Sequence, residues 1–375
     1  MNTRNETPKQ IVLTSPDYWL LGLSLILLSF GLMTLLSASG IRAERFYADP
    51  LYFFKRQSLF AAMAIFAMGV VALMPRRIIY KLQYPVLFLA LVLLVVTLLP
   101  GVSKVKGARR WLSIGSFGIQ PMEFAKIAVV MYLAYFMSTK QAIIKTFSRG
   151  VIPPFAVTGV FCLLLLLQPD FGGAAVLTLL LFFMCLAGGT RLIYLIISAL
   201  LACGGGYFLI LHEAYRFRRI LAFLDPFKVA SDEGYQLVQS LYALGSGGIW
   251  GAGLGGSRQK LFFLPDAHTD FIMAIAGEEL GFIGMTLIFL LLGLFFWRAM
   301  RVAFLQQDLR DRLTAFGLTL MLGLSMVLNM AVVMGMAPPK GLPMPFFSYG
   351  GSCLLATFIC VGLLLNLSRT VRDEG

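Results

Sequence analysis

The chain has 375 residues, of which 59% are apolar and 13% are charged, and its mean hydropathy is +0.83. Soluble domains carry about 25% charged residues, and a water-soluble globule has too little interior to bury so many apolar side chains. The composition therefore excludes a soluble enzyme, a disordered chain and a disulfide-stapled secreted domain. It predicts a polytopic membrane protein.

The net charge is +13 at pH 7, and the cations lie in short loops between apolar runs. A nucleic-acid-binding protein concentrates its cations on one polar surface, so we expect no nucleic acid partner. Anionic lipid headgroups suit such loops, and so does an anionic lipid-linked substrate. The five cysteines all lie in apolar runs without a Cys-x-x-Cys pair, which predicts small buried side chains rather than disulfides.

The apolar runs predict an all-α, polytopic integral membrane protein with about ten transmembrane helices. A spanning helix needs about 20 mostly apolar residues, within a range of roughly 17 to 25. Ten runs are candidates: Tyr18–Ala38, Ser58–Met74, Tyr80–Leu99, Pro121–Met137, Val151–Leu167, Phe171–Ala187, Leu192–Leu211, Phe271–Trp297, Leu313–Met336 and Tyr349–Leu367. The sequence shows no repeat and no soluble segment, so residues 1–375 are predicted to form a single membrane domain.

Two connections are longer than the rest: Pro100–Gln120 and residues 212–270, which we predict to be a large extracytoplasmic loop between the seventh and eighth helices. An even number of spans places both termini on one side. Lys and Arg divide equally, with 15 on each side, but ten of the outer set lie in the two longer loops. The positive-inside rule is weakest in long loops. We therefore predict cytoplasmic tails at 1–16 and 368–375.

The fourth predicted span has charged residues both just before it and inside it. Arg109, Arg110 and Trp111 precede it; Trp anchors a helix at the membrane interface, and the arginines suit either lipid headgroups or substrate phosphates. Glu123 and Lys126 lie three residues apart inside the span, so they share a helix face and can pair. Such a pair is either structural or part of a charged cavity that receives a polar headgroup.

An aspartate, Asp270, stands where the long loop enters the eighth span. An acid at a helix N-terminus can simply cap backbone N–H groups, but Thr269 could do this equally well. Ionisable groups at membrane depth indicate function, so Asp270 is a candidate catalytic or binding residue. His268, two residues earlier, could suggest a metal pair, but two ligands do not make a metal site.

Other polar residues interrupt the last three spans. Glu278 and Glu279 lie inside the eighth, and Asn329, inside the ninth, is predicted to face protein rather than lipid. The segment Pro338–Ser352 contains four prolines and three glycines. Irregular backbone cannot face lipid, and it must be buried in protein or line a wet cavity. We predict a re-entrant or rigid outer turn over a site.

Taken together, these stretches resemble the SEDS family (shape, elongation, division and sporulation). The similar stretches are Arg110–Trp111, Gln120–Lys126, Gly234–Ser240, Gly245–Gly248, Leu264–Phe271 and Gly341–Ser352. They occur in order over nearly the whole chain. The stretch Gly251–Lys260 is more similar to the division members of the family than to the elongation members. Asp266 stands where these usually have Glu, and Cys353 replaces a usual Ser.

The resemblance implies a peptidoglycan glycosyltransferase that polymerises lipid II at the outer face of the bacterial inner membrane, at the division septum. It also implies ten helices, a cytoplasmic N-terminus and a class B penicillin-binding protein as transpeptidase partner, beside other division-complex membrane proteins. Asp270 matches the family's presumed catalytic acid. The candidate substrate-binding residues are Glu123, Lys126, Arg110 and Trp111, which match the family, together with Arg109, His268 and Ser348.

The chemistry of glycan polymerisation suggests roles for these residues. The acceptor hydroxyl must lose a proton as it attacks the donor's anomeric carbon, and Asp270 is placed to act as general base, an effect of about 10² to 10⁴ in rate. Cations stabilise the departing diphosphate; the candidates are Lys126, Arg109, Arg110 and the Arg216–Arg219 cluster. The residues demand no metal or other cofactor, although a diphosphate often recruits Mg²⁺ or another divalent cation.

Two other functions are compatible with the same composition. A lipid II flippase would use the same cationic cavity, but it needs no base at the outer mouth, so replacing Asp270 would leave transport largely intact. A non-catalytic division scaffold predicts that no single charged residue matters beyond folding.

Overall fold

Helices make up most of the structure, a computed structural model that describes residues 15–100, 102, 108–114, 117–211, 222–229 and 234–369. The helices are α1 (Tyr18–Tyr47), α2 (Tyr52–Leu73), α3 (Arg76–Val96), α4 (Pro121–Thr139), α5 (Ile152–Leu167), α6 (Phe171–Ala187), α7 (Leu192–Leu211), α8 (Tyr235–Gly247), α9 (Ile272–Phe304), α10 (Leu309–Val333) and α11 (Gly351–Ser368). A short 3₁₀ turn, Gln141–Ile143, and a π-helical turn, Phe147–Val151, lead from α4 into α5.

Proline and aspartate set several of the helix starts. Pro75 precedes α3 and Pro121 opens α4, positions where the missing N–H leaves no bond unmade. Asp17, Asp170 and Asp308 cap α1, α6 and α10, because each side chain accepts a hydrogen bond from a backbone N–H in the first turn. Local sequence therefore places these helix ends.

All ten predicted spans coincide with helices, which confirms an all-α membrane architecture. Eight helical segments are long and apolar enough to cross a membrane, and the apolar segments Phe171–Ala187 and Leu192–Phe208 are shorter. The number of ten crossings stays a prediction. The helices α1 and α9 run past the predicted ends at Ala38 and Trp297, because hydropathy marks the lipid-facing stretch and a helix can continue beyond it into polar sequence.

The two long connections contain structure that the apolar pattern did not indicate. An antiparallel hairpin joins β1 (Leu112–Ile114) to β2 (Phe117–Ile119) before α4, and α8 lies inside the long loop 212–270. Ser352 at the start of α11 ties the hairpin down: its hydroxyl accepts a hydrogen bond from the Gln120 amide at 3.0 Å and donates one to the Gly118 carbonyl at 3.3 Å. The hairpin therefore has a fixed position beside α11.

The most buried spans are α4, α10 and α11, which form the centre of the bundle. α2 packs along α11, and α9 packs against α1, α8 and α10. The predicted irregular turn is confirmed: residues 334–350 contain no helix, and Phe346, Phe347 and Ser348 in it are buried. Asn329 is also buried in protein, as predicted, and its amide donates to the carbonyls of Asp270 at 2.9 Å and Leu342 at 2.7 Å.

Candidate active site

A cavity of about 2110 Å³ opens beside Asp270. One part of its wall is apolar and comes from α5, α6 and α7, with Phe155, Leu179, Phe182 and Leu201 among its residues. The other part is polar and charged: Arg42, Arg56, Arg110, Asp170, Asp266, His268, Asp270 and Lys340 line it. The space can therefore hold a molecule with an apolar tail and a charged, polar head.

Asp270 is held just before the first turn of α9. Its backbone carbonyl accepts the hydrogen bond from Asn329, and the same amide group fixes Leu342, so one side chain joins the Asp270 segment to the irregular turn. Gly341 lies directly against the carboxylate, because a Cβ atom at position 341 would be 2.9 Å from Asp270 Oδ2. Glycine at this position leaves the carboxylate partly exposed to the cavity.

His268 is buried two residues before Asp270, between aromatic rings. Its imidazole centroid lies 5.0 Å from the ring of Phe53 on α2 and 5.9 Å from that of Tyr349. Its carbonyl accepts a hydrogen bond from the Tyr349 amide at 3.0 Å. Among the described residues there is no group of three or more His, Cys, Asp or Glu side chains that could hold a metal ion.

A second polar group lies on the α6 side of the cavity. The Arg110 guanidinium donates to the Pro169 carbonyl and lies 3.9 Å from Asp170 Oδ1. Lys340 interacts electrostatically with Asp170, and burial lowers the pKa of its ammonium although Asp170 opposes that shift. Trp111 also lines the cavity, and its ring is 3.3 Å from where a Cβ at Gly118 would lie. Two cations thus face one carboxylate here.

Half of the predicted site residues lie on the cavity wall. Asp270, His268, Arg110 and Trp111 line it, whereas Glu123, Lys126, Arg109 and Ser348 are not among the described residues that do so. The predicted Arg216–Arg219 cluster lies outside the described residues.

The four residues away from the wall have structural contacts. Lys126 Nζ lies 2.9 Å from Glu123 Oε2, and both side chains are buried inside α4. Arg109 donates to the Leu98 carbonyl at 3.2 Å. The Ser348 hydroxyl accepts from the Met344 amide at 2.7 Å and donates to the Thr269 carbonyl at 2.6 Å. Ser348 therefore joins the irregular turn to the Asp270 segment.

Sequence reasoning did not select four charged residues of the cavity wall: Arg42, Arg56, Asp170 and Lys340. Asp170 looks like an ordinary helix cap and acts as one. Lys340 had a usable signal, because it is the single charge in a proline- and glycine-rich turn. Nothing in the sequence distinguishes Arg42 and Arg56 from other loop cations that bind lipid headgroups.

Glu278 and Glu279, which lie on α9 inside the apolar run, bind a loop. The loop 248–263 folds over them: Lys260 Nζ lies 2.8 Å from Glu279 Oε1, and Ser37 donates to the same oxygen at 2.6 Å. Glu278 accepts from the Ser257 hydroxyl and from the Arg258 amide at 2.9 Å. We call this set of contacts the loop clamp. Because the clamped loop leads into residues 264–270, the clamp supports the segment that carries Asp270.

The loop clamp also needs a break in α9 at Gly281. Its φ of 64° lies in the left-handed region, and a Cβ there would lie 2.2 Å from the Gly251 amide nitrogen. The break frees the Glu278 and Glu279 carbonyls, which accept hydrogen bonds from the amides of Ala252 at 2.9 Å and Gly253 at 3.0 Å.

Known proteins are similar to this chain over nearly all of its length. Residues 18–373 match the family described as "Cell cycle protein", which comprises FtsW, RodA and SpoVE. A relative from Trichlorobacter lovleyi named "Probable peptidoglycan glycosyltransferase FtsW" is 45% identical over 372 residues, 97% of this chain and 96% of that protein. The "Stage V sporulation protein E" of Bacillus subtilis is 40% identical over 360 residues, 96% of this chain and 98% of that protein.

Solved structures are similar as well. A chain from a peptidoglycan synthase complex that coordinates polymerization and crosslinking superposes with a TM-score of 0.77 at 29% identity, over 94% of this chain and 98% of that one. The rod shape determining protein RodA of Thermus thermophilus superposes with a TM-score of 0.70 at 28% identity, over 96% of this chain and 98% of that one.

Proposed function

The chain belongs to the family of cell cycle proteins FtsW, RodA and SpoVE, and we propose that it polymerises lipid II into glycan strands, with Asp270 as general base. It is a multi-pass inner membrane protein and a peptidoglycan glycosyltransferase, as its relatives are named. The single observation that supports the proposal most strongly is the position of Asp270. Its partly exposed carboxylate borders a cavity that has cations on one wall and apolar helices on another.

The reaction that we propose is a displacement at the anomeric carbon of the donor sugar. The acceptor's 4-hydroxyl oxygen forms a bond to that carbon while the bond from the carbon to the diphosphate oxygen breaks. Asp270 takes the hydroxyl proton, and the diphosphate leaves with the bonding electron pair on its polyprenyl carrier. Proton removal by a positioned carboxylate contributes about 10² to 10⁴ to the rate.

The cavity provides for both ends of such a substrate. Arg110 and Lys340 face the polar end, where they would stabilise the growing charge of the departing diphosphate. The apolar wall of α5, α6 and α7 would receive the lipid tail. We assign Glu123 and Lys126 a supporting role, because their charges satisfy each other inside α4 and they are not among the residues on the cavity wall.

We propose that the protein works at the outer face of the membrane, at the division septum, with cytoplasmic termini and with a class B penicillin-binding protein as its transpeptidase. One similar structure is a chain of a synthase complex that couples polymerization to crosslinking, which supports a partner of this kind. Other division-complex membrane proteins are further proposed partners. A flippase is not favoured, because the relatives are named as glycosyltransferases.

The test is polymerisation of purified lipid II by the protein together with its transpeptidase partner. We expect glycan strands from the wild type and a rate at least about 100-fold lower from Asp270→Asn. Asp49→Asn is the matched control, because Asp49 is paired with Lys55 on the surface. Equal rates from Asp270→Asn and wild type would remove Asp270 from the chemistry. Lipid II transport without any glycan product would favour a flippase instead.

A further inference from the structure

The wall of the cavity formed by α1 and α2 carries two more cations, Arg42 and Arg56. The four-residue turn between these helices is braced by aromatic rings: Tyr47 and Tyr52 stack 3.8 Å apart with an interplanar angle of 6°. Arg56 donates to the Tyr52 hydroxyl at 2.8 Å. The Arg42 guanidinium lies 5.7 Å from the centre of the Phe46 ring one turn later. Both cations are therefore oriented by a rigid corner.

Contacts link the Asp270 segment both to α2 and to the turn that carries Lys340. Arg56 interacts electrostatically with Tyr349, and the Tyr349 amide donates a hydrogen bond to the carbonyl of His268, two residues before Asp270. The Asp270 carboxylate itself lies against Gly341, which follows Lys340 in the chain. The two pairs of cations therefore come from different segments of the chain, and both pairs line the cavity that Asp270 borders.

We propose that Arg42 and Arg56 form a second diphosphate-binding site, which holds one lipid-linked sugar while the Arg110 and Lys340 wall holds the other. The inference rests on the proposed function, because joining two lipid-linked sugars requires two diphosphates to be bound at the same time. A single cationic wall would place two such anions together, where they repel each other. Guanidinium groups suit the role, since they bind phosphate oxygens in a bidentate manner.

Arg42 makes the cleaner test of the two. The Arg42 guanidinium packs near the Phe46 ring of its own helix, so we expect Arg42→Gln to remove the cation with little change to the fold. Arg45→Gln is the matched control. Arg45 is one turn further along α1, lies 4.7 Å from the Phe262 ring centre and is not among the residues that line the cavity.

The experiment counts molecules of farnesyl diphosphate bound to the detergent-solubilised protein by native mass spectrometry. We expect two bound molecules on wild type and on Arg45→Gln. On Arg42→Gln and on Arg56→Gln we expect the second to bind roughly 10- to 100-fold more weakly, the loss of a charge-assisted contact. A wild type that binds one molecule, or variants that still bind two with unchanged affinity, would overturn the second site.

A second arm separates a substrate diphosphate from an ordinary lipid headgroup. Phosphatidylglycerol is added in excess before the count, and we expect both farnesyl diphosphate molecules to remain bound. Displacement of the one that depends on Arg42 would overturn the proposal in favour of a general headgroup site. Since no glycan is made in this experiment, the count is independent of polymerisation. If Asp270→Asn polymerised normally, the general base would be wrong while the second site could still stand.

Discussion

Glu123 and Lys126 lie three residues apart on one helix, whereas Lys260 and Glu279 belong to a loop and a helix that meet only in the folded chain. In all four residues the side chain is at most 6% exposed, and the ion pairs are 2.9 and 2.8 Å long. Forming α4 is enough to bring the first pair together. The second pair forms only when the loop 248–263 has folded over α9. Its stability therefore depends on the position of the segment that leads to Asp270.

The largest expected effect comes from removing one partner of the long-range pair. Glu279→Gln leaves the Lys260 ammonium buried without its carboxylate, and removing one partner of a buried pair costs about 3–5 kcal/mol. We expect a loss of that size in the free energy of unfolding, measured by titration with a denaturing detergent in mixed micelles. We also expect polymerisation to fall, because the segment before Asp270 is released.

The double variant Lys260→Met with Glu279→Met supplies the control for that prediction. It removes both charges, so we expect it to recover part of the stability that Glu279→Gln loses. A surface variant, Lys55→Met with Asp49→Asn, is expected to change little. If Glu279→Gln were as stable as wild type, the loop clamp would not hold the loop in place.

A change at Gly281 tests the loop clamp without altering any charge. Gly281→Ala places a Cβ at a φ of 64° and 2.2 Å from the Gly251 amide nitrogen. We expect a loss of about 1–3 kcal/mol from the backbone alone, and a fall in polymerisation as the loop moves away. Gly293→Ala is the control, since it is on the same helix and has nothing within 4 Å. Equal behaviour of the two variants would show that the break in α9 is not needed.

Exchanging the acid and the base within each pair tests whether the two pairs differ in their effect on stability. In the variant Glu123→Lys with Lys126→Glu, the pair can re-form on α4, but a cation now lies in the first turn, where the helix dipole disfavours it by about 0.3–1 kcal/mol. We expect a small loss of stability and a polymerisation rate within about tenfold of wild type. A folded variant without activity would instead assign the pair to substrate binding.

The same exchange is expected to fail in the long-range pair. A lysine at 279 would meet the Ser257 amide, a donor that lies 3.4 Å from the Glu279 carboxylate in the native chain. We therefore expect Lys260→Glu with Glu279→Lys to lose more stability than the exchange in α4, in the same unfolding measurement. Equal losses would mean that both pairs depend only on their mutual attraction.

The contrast also explains what could be predicted from sequence. Apolar runs of sufficient length predicted ten segments that are helical in the structure, and spacing on a helix predicted that Glu123 and Lys126 can pair. Backbone chemistry predicted that the Pro338–Ser352 turn is buried in protein or lines a cavity, and the turn does both. A lone amide in a span predicted that Asn329 faces protein. All of these are consequences of local sequence and of the cost of exposing polar groups to lipid.

The remainder depends on how loops pack against distant helices. Lys260 lies 19 residues before Glu279, and no periodicity relates them. Arg42 and Arg56 look like any cations at a membrane surface until α1 and α2 are placed beside the cavity. Ser348 was expected to bind substrate, but its hydroxyl is occupied by backbone groups of Met344 and Thr269. Its role in substrate binding stays a prediction.

The smallest effect at neutral pH is expected at Lys340, a cation that lines the cavity and interacts electrostatically with Asp170. Burial lowers the pKa of its ammonium, so as the pH rises it loses its charge earlier than an ordinary lysine. If this charge stabilises the departing diphosphate, polymerisation declines on the alkaline side together with that deprotonation. Lys340→Arg keeps its charge at any accessible pH, and we expect a rate close to wild type at neutral pH with the alkaline decline moved to higher pH.

The measurement is the rate of lipid II polymerisation as a function of pH for wild type, Lys340→Arg and the surface control Lys55→Arg. We expect Lys55→Arg to follow the wild-type profile, because Lys55 is exposed and paired with Asp49. Superimposable profiles for all three proteins would contradict the role of Lys340. Lys340 lines the cavity, so it is the cation whose protonation can limit the reaction.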